Sequence, residues 1–325
     1  MGILKSKVDV IIPVCHWDKK LFKVLEGLAG QTVLPEKVVL LNVETGWKED
    51  SCEELQHQIY KYFSKHKLFG HRLPLQLEIV PIKEKNYDEG ATRNAGTKRT
   101  NSPFLLFMKQ DAIPADSQLI EELLWSMESG AGVSWARHVT GPAAKVLKTY
   151  ISMYDYPTKS YVRKQEDVKT YGVRAFRISN ACAMYRRDVF EEQGGFSDRI
   201  IAGEGNLFGA GLLQNGGSIA YCAEAKVYYS ENSNWMAQLR RKFDEGVAHA
   251  SNPRVFKAGS EEKDGFRYGK AVLSYLINQK YYMEIADFAG ENIYKAVGYF
   301  LGKNYKLLKK DWIFKLTNNH SYWSR

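Results

Sequence analysis

Two rhythms of apolar and polar positions alternate along the first part of the chain. Val8 to Val14, Val-Asp-Val-Ile-Ile-Pro-Val, is a run of β-branched residues with Pro13 near its end, and it predicts a buried strand. Leu21, Val24, Leu25 and Leu28 then recur at helical spacing up to Gly30. A second apolar run, Val38 to Val43, ends in Glu44. A polar helix follows around Glu53 to Lys65, and then a third strand, Leu75 to Val80. Strand and helix in strict alternation predict a mostly parallel α/β sheet covered by helices on both faces.

The next segments carry the candidate chemistry. Asn86 to Asn101 predicts a helix with small residues along one side. Gly90 and Gly96 each cost about 1 kcal/mol relative to alanine in a helix interior, so close approach to a ligand or to the sheet should repay their presence. Arg93 and Asn94 lie between them, where a phosphate or a nucleobase can use both, or where an ordinary ion pair on a solvated face suffices. Phe104 to Pro114 then reads Phe-Leu-Leu-Phe-Met-Lys-Gln-Asp-Ala-Ile-Pro, an apolar run leading to Asp111, with Pro114 stopping the strand. Ligands of open α/β sheets collect at the carboxyl ends of parallel strands. A carboxylate there can hold a divalent metal and, through it, a diphosphate; it can equally cap a turn.

Leu119 to Met127 predicts a helix and Gly132 to Val139 a strand. From Thr140 to Arg177 the periodicity fails, and Tyr150, Tyr154, Tyr156, Tyr161 and Tyr171 lie scattered among lysines. These rings suit a sugar platform, and suit equally the packing of a long loop onto the sheet. Ser179 to Phe196 reads as a short strand and a helix ending at Gly194-Gly195. Gly203-Glu204-Gly205-Asn206 precedes an apolar helix, Leu207 to Gln214, and Ile219 to Tyr229 returns as strand. Trp235 to Ala250 is a cationic helix containing Gln238, Arg240, Arg241 and Lys242. Ile293 to Trp323 interleaves aromatic residues with Lys295, Lys303, Lys306, Lys309 and Lys310, which suits a membrane surface. An amphipathic helix docked on the domain with its lysines in water has the same pattern.

Length and composition narrow the partners. A chain of 325 residues, 44% apolar and 26% charged, can bury one large core or two modest ones and is not expected to be disordered. A net charge of +9 asks for an anionic partner such as a nucleotide, a phospholipid surface or nucleic acid. No nucleic-acid module is recognisable and the basic residues alternate with acids, so nucleic acid is not an expected partner. Cys15, Cys52, Cys182 and Cys222 form no Cys-x-x-Cys pair, which fits reduced thiols rather than a zinc ribbon or a disulfide framework. The start of the chain is too short and polar for a signal peptide, and no apolar run approaches the roughly 20 residues needed to span a bilayer. A cytoplasmic protein is expected. Met1-Gly2 with Ser6 also fits the loose myristoylation pattern.

Taken in order, the pieces resemble the inverting glycosyltransferases of family 2, which have the GT-A fold, and among them the bacterial polysaccharide rhamnosyltransferases. The segments that carry this are Val-Ile-Ile-Pro-Val at 10 to 14, Gln31-Thr32, the run from Tyr87 to Asn94, Gln110 to Asp116, and Ser179 to Ala183. Tyr185-Arg186-Arg187, Gly194-Gly195-Phe196, Lys242 to Val247 and Gly298 to Gly302 continue it. The resemblance implies a GT-A domain over residues 1–238 and a helical, basic and aromatic extension over 239–325.

It further implies a nucleotide-sugar donor over the carboxyl edge of the sheet, with L-rhamnose in its dTDP form as the expected donor. The acceptor is expected to be a cell-surface glycan or a lipid-linked one. Pro13, Val14, Glu44 and Asp88 would line the nucleoside site with Arg93 nearby, and Gln110 and Asn180 complete the substrate-binding set. Asp111 matches the last acid of the family's Asp-x-Asp motif and would bind Mg or Mn. Lipid-linked acceptors would place the protein peripherally on an anionic inner membrane face, and the helices after Gln238 are candidate homodimer contacts.

Departures from the pattern cluster at the chemistry. Glu204-Gly205 stands where the family has Glu-Asp, whose Asp is the catalytic base. Lys109 opens the metal motif, Glu89 stands where a His is usual, and Tyr229-Ser230-Glu231-Asn232 replaces a histidine-containing segment. Either Glu204 has taken over as base, or the chain has lost catalysis and persists as a donor-binding or partner subunit.

Overall fold

The computed structural model describes residues 7–15, 17–44, 51–66, 69, 73–83, 87–141, 144, 146–229, 234–256 and 261–324; for Glu44, Ser51 and 261–267 it describes the backbone. The Met1-Gly2-Ser6 pattern, Asn86 and the Ser230-Glu231-Asn232 segment lie outside these residues.

The elements run β1 (Val8–Val14), α1 (Lys19–Ala29), β2 (Lys37–Glu44), α2 (Ser51–Lys65), β3 (Leu77–Lys83), α3 (Glu89–Thr97), β4 (Phe104–Met108), β5 (Ile113–Pro114), α4 (Leu119–Ser126) and β6 (Val133–Val139). They continue as α5 (Val146–Asp155), β7 (Tyr161–Arg163), α6 (Val168–Tyr171), β8 (Cys182–Arg186), α7 (Arg187–Glu192), α8 (Glu204–Gln214) and β9 (Ile219–Tyr228). Helices follow: α9 (Trp235–Ser251), α10 (Pro253–Phe256), α11 (Glu261–Asn278), α12 (Tyr282–Lys303), α13 (Lys310–Leu316) and α14 (His320–Trp323). Thr140 to Arg177, where periodicity gave no elements, holds α5, β7, α6 and short 3-10 turns.

One sheet runs through the molecule in the order β3-β2-β1-β4-β8-β6-β9-β5, with β7 also on β9. The pairs among β1, β2, β3 and β4, and the pair β6 with β9, are parallel. β8 enters antiparallel between β4 and β6. β1 shows why both faces are covered. Val8, Val10, Ile12 and Val14 pack on one side with Leu21, Leu25 and Leu28 of α1, Ile59 of α2 and Leu123 of α4. Ile11 packs on the other side with Phe107, Tyr185, Phe190, Phe196 and Phe208. Alternate residues of one strand therefore serve two cores, as the period of two demands.

The 238/239 boundary expected from sequence falls inside α9. That helix lies along α12, and a Cβ on Gly298 or Gly302 would overlap the carbonyl oxygens of Leu239 and Phe243. Phe243 and Val247 of α9 form a small core with Ile201, Leu301, Leu308 and Ile313. Among the described residues no helix is long and apolar enough to cross a membrane.

Candidate active site

The chain leaves β1 for β2 and β3 on one side and returns to β4 on the other, so the strand order reverses at β1 and β4. The usual place for a ligand in such a sheet is the crevice beyond those carboxyl ends. Gln110 bridges the two strand ends: its Oε1 accepts a 2.7 Å hydrogen bond from the backbone N–H of Cys15. Asp111 follows at the rim with its side chain 32% exposed, and Lys20 of α1 stands 4.0 Å from its Oδ2. Pro13 and Val14 are in β1. Val14 turns its side chain into the core, so what these residues offer a ligand is backbone. Glu44 is the last residue of β2.

Asp88 is the N-cap of α3, and its Oδ1 accepts from the N–H of Ala91 at 2.9 Å. That bond satisfies one of the open amides of the helix start. Gly96 lets α3 sit on Ile11 and Leu41 of the sheet, while Gly90 lies against the carbonyl of Ser197, so both glycines serve close packing. Asn94 is taken up by the backbone of Phe196, bonding its carbonyl at 2.8 Å and its N–H at 3.0 Å.

Arg93 is 1% exposed, which neither a solvated ion pair nor a phosphate-facing cation would give. Its Nη1 donates to Glu204 Oε1 at 2.8 Å and reaches Glu89 Oε2 at 3.4 Å. Burial works against the guanidinium charge, but Glu204 and then Glu89 outweigh it and hold its pKa above the ordinary arginine value. Glu204 opens α8 after Gly203, whose φ of 82° makes the turn into that helix. The helix N-terminus is a favourable place for a carboxylate. Asn180, just before β8, donates to the same Oε1 at 3.0 Å and is itself held by the Tyr185 hydroxyl at 2.6 Å. A Cβ on Gly205 would lie 3.1 Å from Asn180 Nδ2 and 3.1 Å from the Ile178 carbonyl, facing packed protein.

Because β4, β6 and β9 point the same way, their carboxyl ends meet beside this pair. Lys109 follows β4 and lies 5.8 Å from the ring of Tyr229, to which it also hydrogen-bonds. Burial disfavours the Lys109 ammonium, yet Glu89 and Tyr229 more than restore it and its pKa is raised. Glu89 answers in kind: burial opposes its charge, and Arg93 and Lys109 bring its pKa below the usual carboxylate value. His138, near the end of β6, stacks on Tyr156 at 4.2 Å and meets Tyr229 at 5.1 Å. Burial, with Arg177, Lys109 and Arg241 around it, pushes its pKa well below the ordinary histidine value, so it is neutral. Cys15 and Tyr87 share a hydrogen bond beside the same charges, and burial raises the pKa of both.

Lys109, Glu89, Arg93 and Glu204 thus form one alternating charge cluster beside Asp111. The sequence marks its members singly and not as a cluster. Sequence alone assigns Tyr87, His138 and Tyr229 no place in a site. Cys15, Lys109 and Tyr229 share one signal, each being the first residue after a parallel strand.

Asp111 is a suitable ligand for Mg or Mn, which take one or two protein carboxylates and fill the remaining positions with phosphate oxygens and water. Among the described residues no group of three His, Cys, Asp or Glu side chains forms a fuller cage.

A family model described as Glycosyl transferase family 2 matches residues 9–194. The chain is 28% identical over 328 residues to the O-antigen chain rhamnosyltransferase RfbN of Salmonella typhimurium (strain LT2), covering 98% of this chain and 96% of that one. It is 32% identical over 253 residues to the O-antigen chain rhamnosyltransferase WbaN of Salmonella anatum, covering 76% and 79%. Among solved structures, the mannosyltransferase PcManGT from Pyrobaculum calidifontis in complex with GDP-Man and Mn2+ superposes with a TM-score of 0.59 at 12% identity, over 93% of this chain and 86% of that one. S. aureus TarS 1-349 in complex with UDP-GlcNAc gives a TM-score of 0.50 at 16% identity, over 75% and 66%. At these identities the two structures speak for the fold.

Proposed function

The chain belongs to glycosyl transferase family 2, and from that premise we propose that it transfers L-rhamnose from dTDP-L-rhamnose to a growing, lipid-linked chain of a cell-surface polysaccharide. The sugar and the type of glycan are taken from the two Salmonella relatives. The observation that carries the donor half is Asp111 at the rim of the β1/β4 crevice, with Gln110 locking the strand ends together behind it.

In this reading the nucleoside would lie along the backbone at Pro13 and Val14 and beside Glu44, and Asp111 would be the residue that holds Mg or Mn. When bound, the metal supplies positive charge that stabilises the departing nucleoside diphosphate. Lys109 adds a fixed cation to the same wall. Glu89 favours its charge and Tyr229 hydrogen-bonds it. The acceptor hydroxyl attacks the anomeric carbon from the side opposite the diphosphate, the bond from that carbon to the diphosphate oxygen breaks, and the anomeric configuration inverts. Glu204 receives the hydroxyl proton. Both of its side-chain hydrogen bonds land on Oε1, and we assign the proton to Oε2. Arg93 fixes the position of the carboxylate before the step.

Turnover of dTDP-rhamnose with Mn and a lipid-linked acceptor tests this. Asp111→Ala should weaken metal-dependent donor binding by about 10–100-fold. Glu204→Gln should lower kcat by about 10²–10⁴-fold with donor binding kept. Full activity in both variants would remove the mechanism. A second reading, a donor-binding homologue without turnover, is favoured by Gly205. It predicts a donor-induced rise in melting temperature and no product from the unaltered chain.

A further inference from the structure

Residues 300–315 read Phe-Leu-Gly-Lys-Asn-Tyr-Lys-Leu-Leu-Lys-Lys-Asp-Trp-Ile-Phe-Lys and cover the end of α12, a 3-10 turn at Tyr305–Leu307 and most of α13. Their apolar side chains sort into two sets. Leu301, Tyr305, Leu308 and Ile313 pack inward around Phe243 and Val247. Phe300, Leu307 and Trp312 point out, 66%, 83% and 58% exposed. The neighbours Leu307 and Leu308 divide at the turn, one to the core and one to the tip.

Around these tips Lys303, Lys306, Lys309, Lys310 and Lys315 are all exposed, and Asp311 is the one acid in the segment. Core packing asks for neither feature, since the glycine side of α12 and the inward set already make the dock. Large apolar side chains held in water amid lysines match two properties that an anionic bilayer surface offers together, a negative potential and an apolar layer just beneath it. The same segment is also tied to the crevice. Beyond α13, Thr317 bonds Asp244 at 2.6 Å, Asn319 bonds the Ile201 carbonyl at 3.3 Å, and Ser321 bonds the Tyr87 carbonyl at 2.9 Å. Tyr87 shares the hydrogen bond with Cys15 at the mouth of the site.

We propose that residues 300–315 form a docking surface for an anionic lipid bilayer, with Phe300, Leu307 and Trp312 entering the headgroup layer and the five lysines facing its phosphates. The tail then holds the β1/β4 crevice at a fixed relation to the lipid surface.

The test is co-sedimentation of the full chain with vesicles of phosphatidylglycerol and phosphatidylethanolamine, and with phosphatidylcholine alone, without donor or acceptor. A failure here is therefore separate from a failure of the enzymatic reading. Binding should occur to the anionic vesicles in about 50 mM salt, weaken as added salt screens the lysines, and be absent on phosphatidylcholine. Lys306→Glu/Lys309→Glu/Lys310→Glu and Leu307→Glu/Trp312→Glu should each reduce partitioning at least about tenfold, with circular dichroism and turnover of a water-soluble acceptor unchanged. Three results would overturn the proposal: no anionic binding at low salt, binding indifferent to both variants, or a dimer of the free protein that either variant splits. The last would assign the surface to a second copy of the chain.

Discussion

Arg93 and Glu204 are 111 residues apart in sequence and 2.8 Å apart in space. A guanidinium buried this deeply is tolerated only against a carboxylate, and removing one partner of such a pair typically costs about 3–5 kcal/mol. Arg93→Met should therefore lower the urea midpoint strongly, whereas Arg93→Met/Glu204→Met should lose much less than the sum of the two single changes. Equilibrium denaturation of the four proteins as a double-mutant cycle measures that coupling; additive losses would mean that the pair is not a unit. The sequence marks both residues as candidates. It does not reveal the bond between them, because an ion pair across this separation leaves no periodic trace. Lys109 and Glu89 are similar. Each reads alone as a departure from the family pattern, and in space each supplies the charge the other needs.

Helices show a different limit of the sequence. Strands β1, β2 and β4 and helices α1 and α4 are legible because their buried sides are apolar and periodic. The joint between α9 and α12 is hidden because the side of α12 that meets α9 is glycine, which carries no hydrophobic signal. The same glycines give a sharp expectation. A methyl at Gly298 would overlap a backbone oxygen of α9, so Gly298→Ala should destabilise by about 1–3 kcal/mol despite the better helix propensity of alanine. Among the described residues, nothing beyond its own helix backbone lies within 4 Å of a Cβ added at Gly269 in α11. Gly269→Ala should instead stabilise by about 0.4–1 kcal/mol. Chemical denaturation of the two variants decides whether tight packing or helix propensity governs this region. From sequence the tyrosines between Thr140 and Arg177 leave two alternatives, a sugar platform and loop packing. Tyr156 on His138 and Tyr161 on Tyr221 pack the segment onto the sheet, while Tyr150 and Tyr154 meet Tyr275 and Tyr268 of α11.

Across the whole molecule, the parallel sheet and its crevice follow from the order of apolar runs, but the clasp made by the C-terminal helices does not. One bond of that clasp is sensitive to pH. Asp244 in α9 accepts from Thr317 and from the Asn318 N–H. Burial outweighs these bonds and pushes its pKa up to about 6. As pH falls through 6 the folded chain takes up a proton that the unfolded chain accepts only near 3.8, so this group adds stability on acidification and withdraws it as pH rises. The melting temperature between pH 7.5 and 5 should accordingly shift further in the acid-stabilising direction for the wild type than for Asp244→Asn; identical shifts would exclude the assignment. The bond between Ser321 and Tyr87 has a consequence of another kind. Ser321 comes 93 residues after Tyr228, the end of the last strand, and a ribosome adding about 5–20 residues per second needs roughly 5–20 s for that interval. During synthesis every strand of the sheet is therefore made before Ser321, and the nascent protein passes through a stage in which Tyr87 is not yet tied to the C-terminal helices.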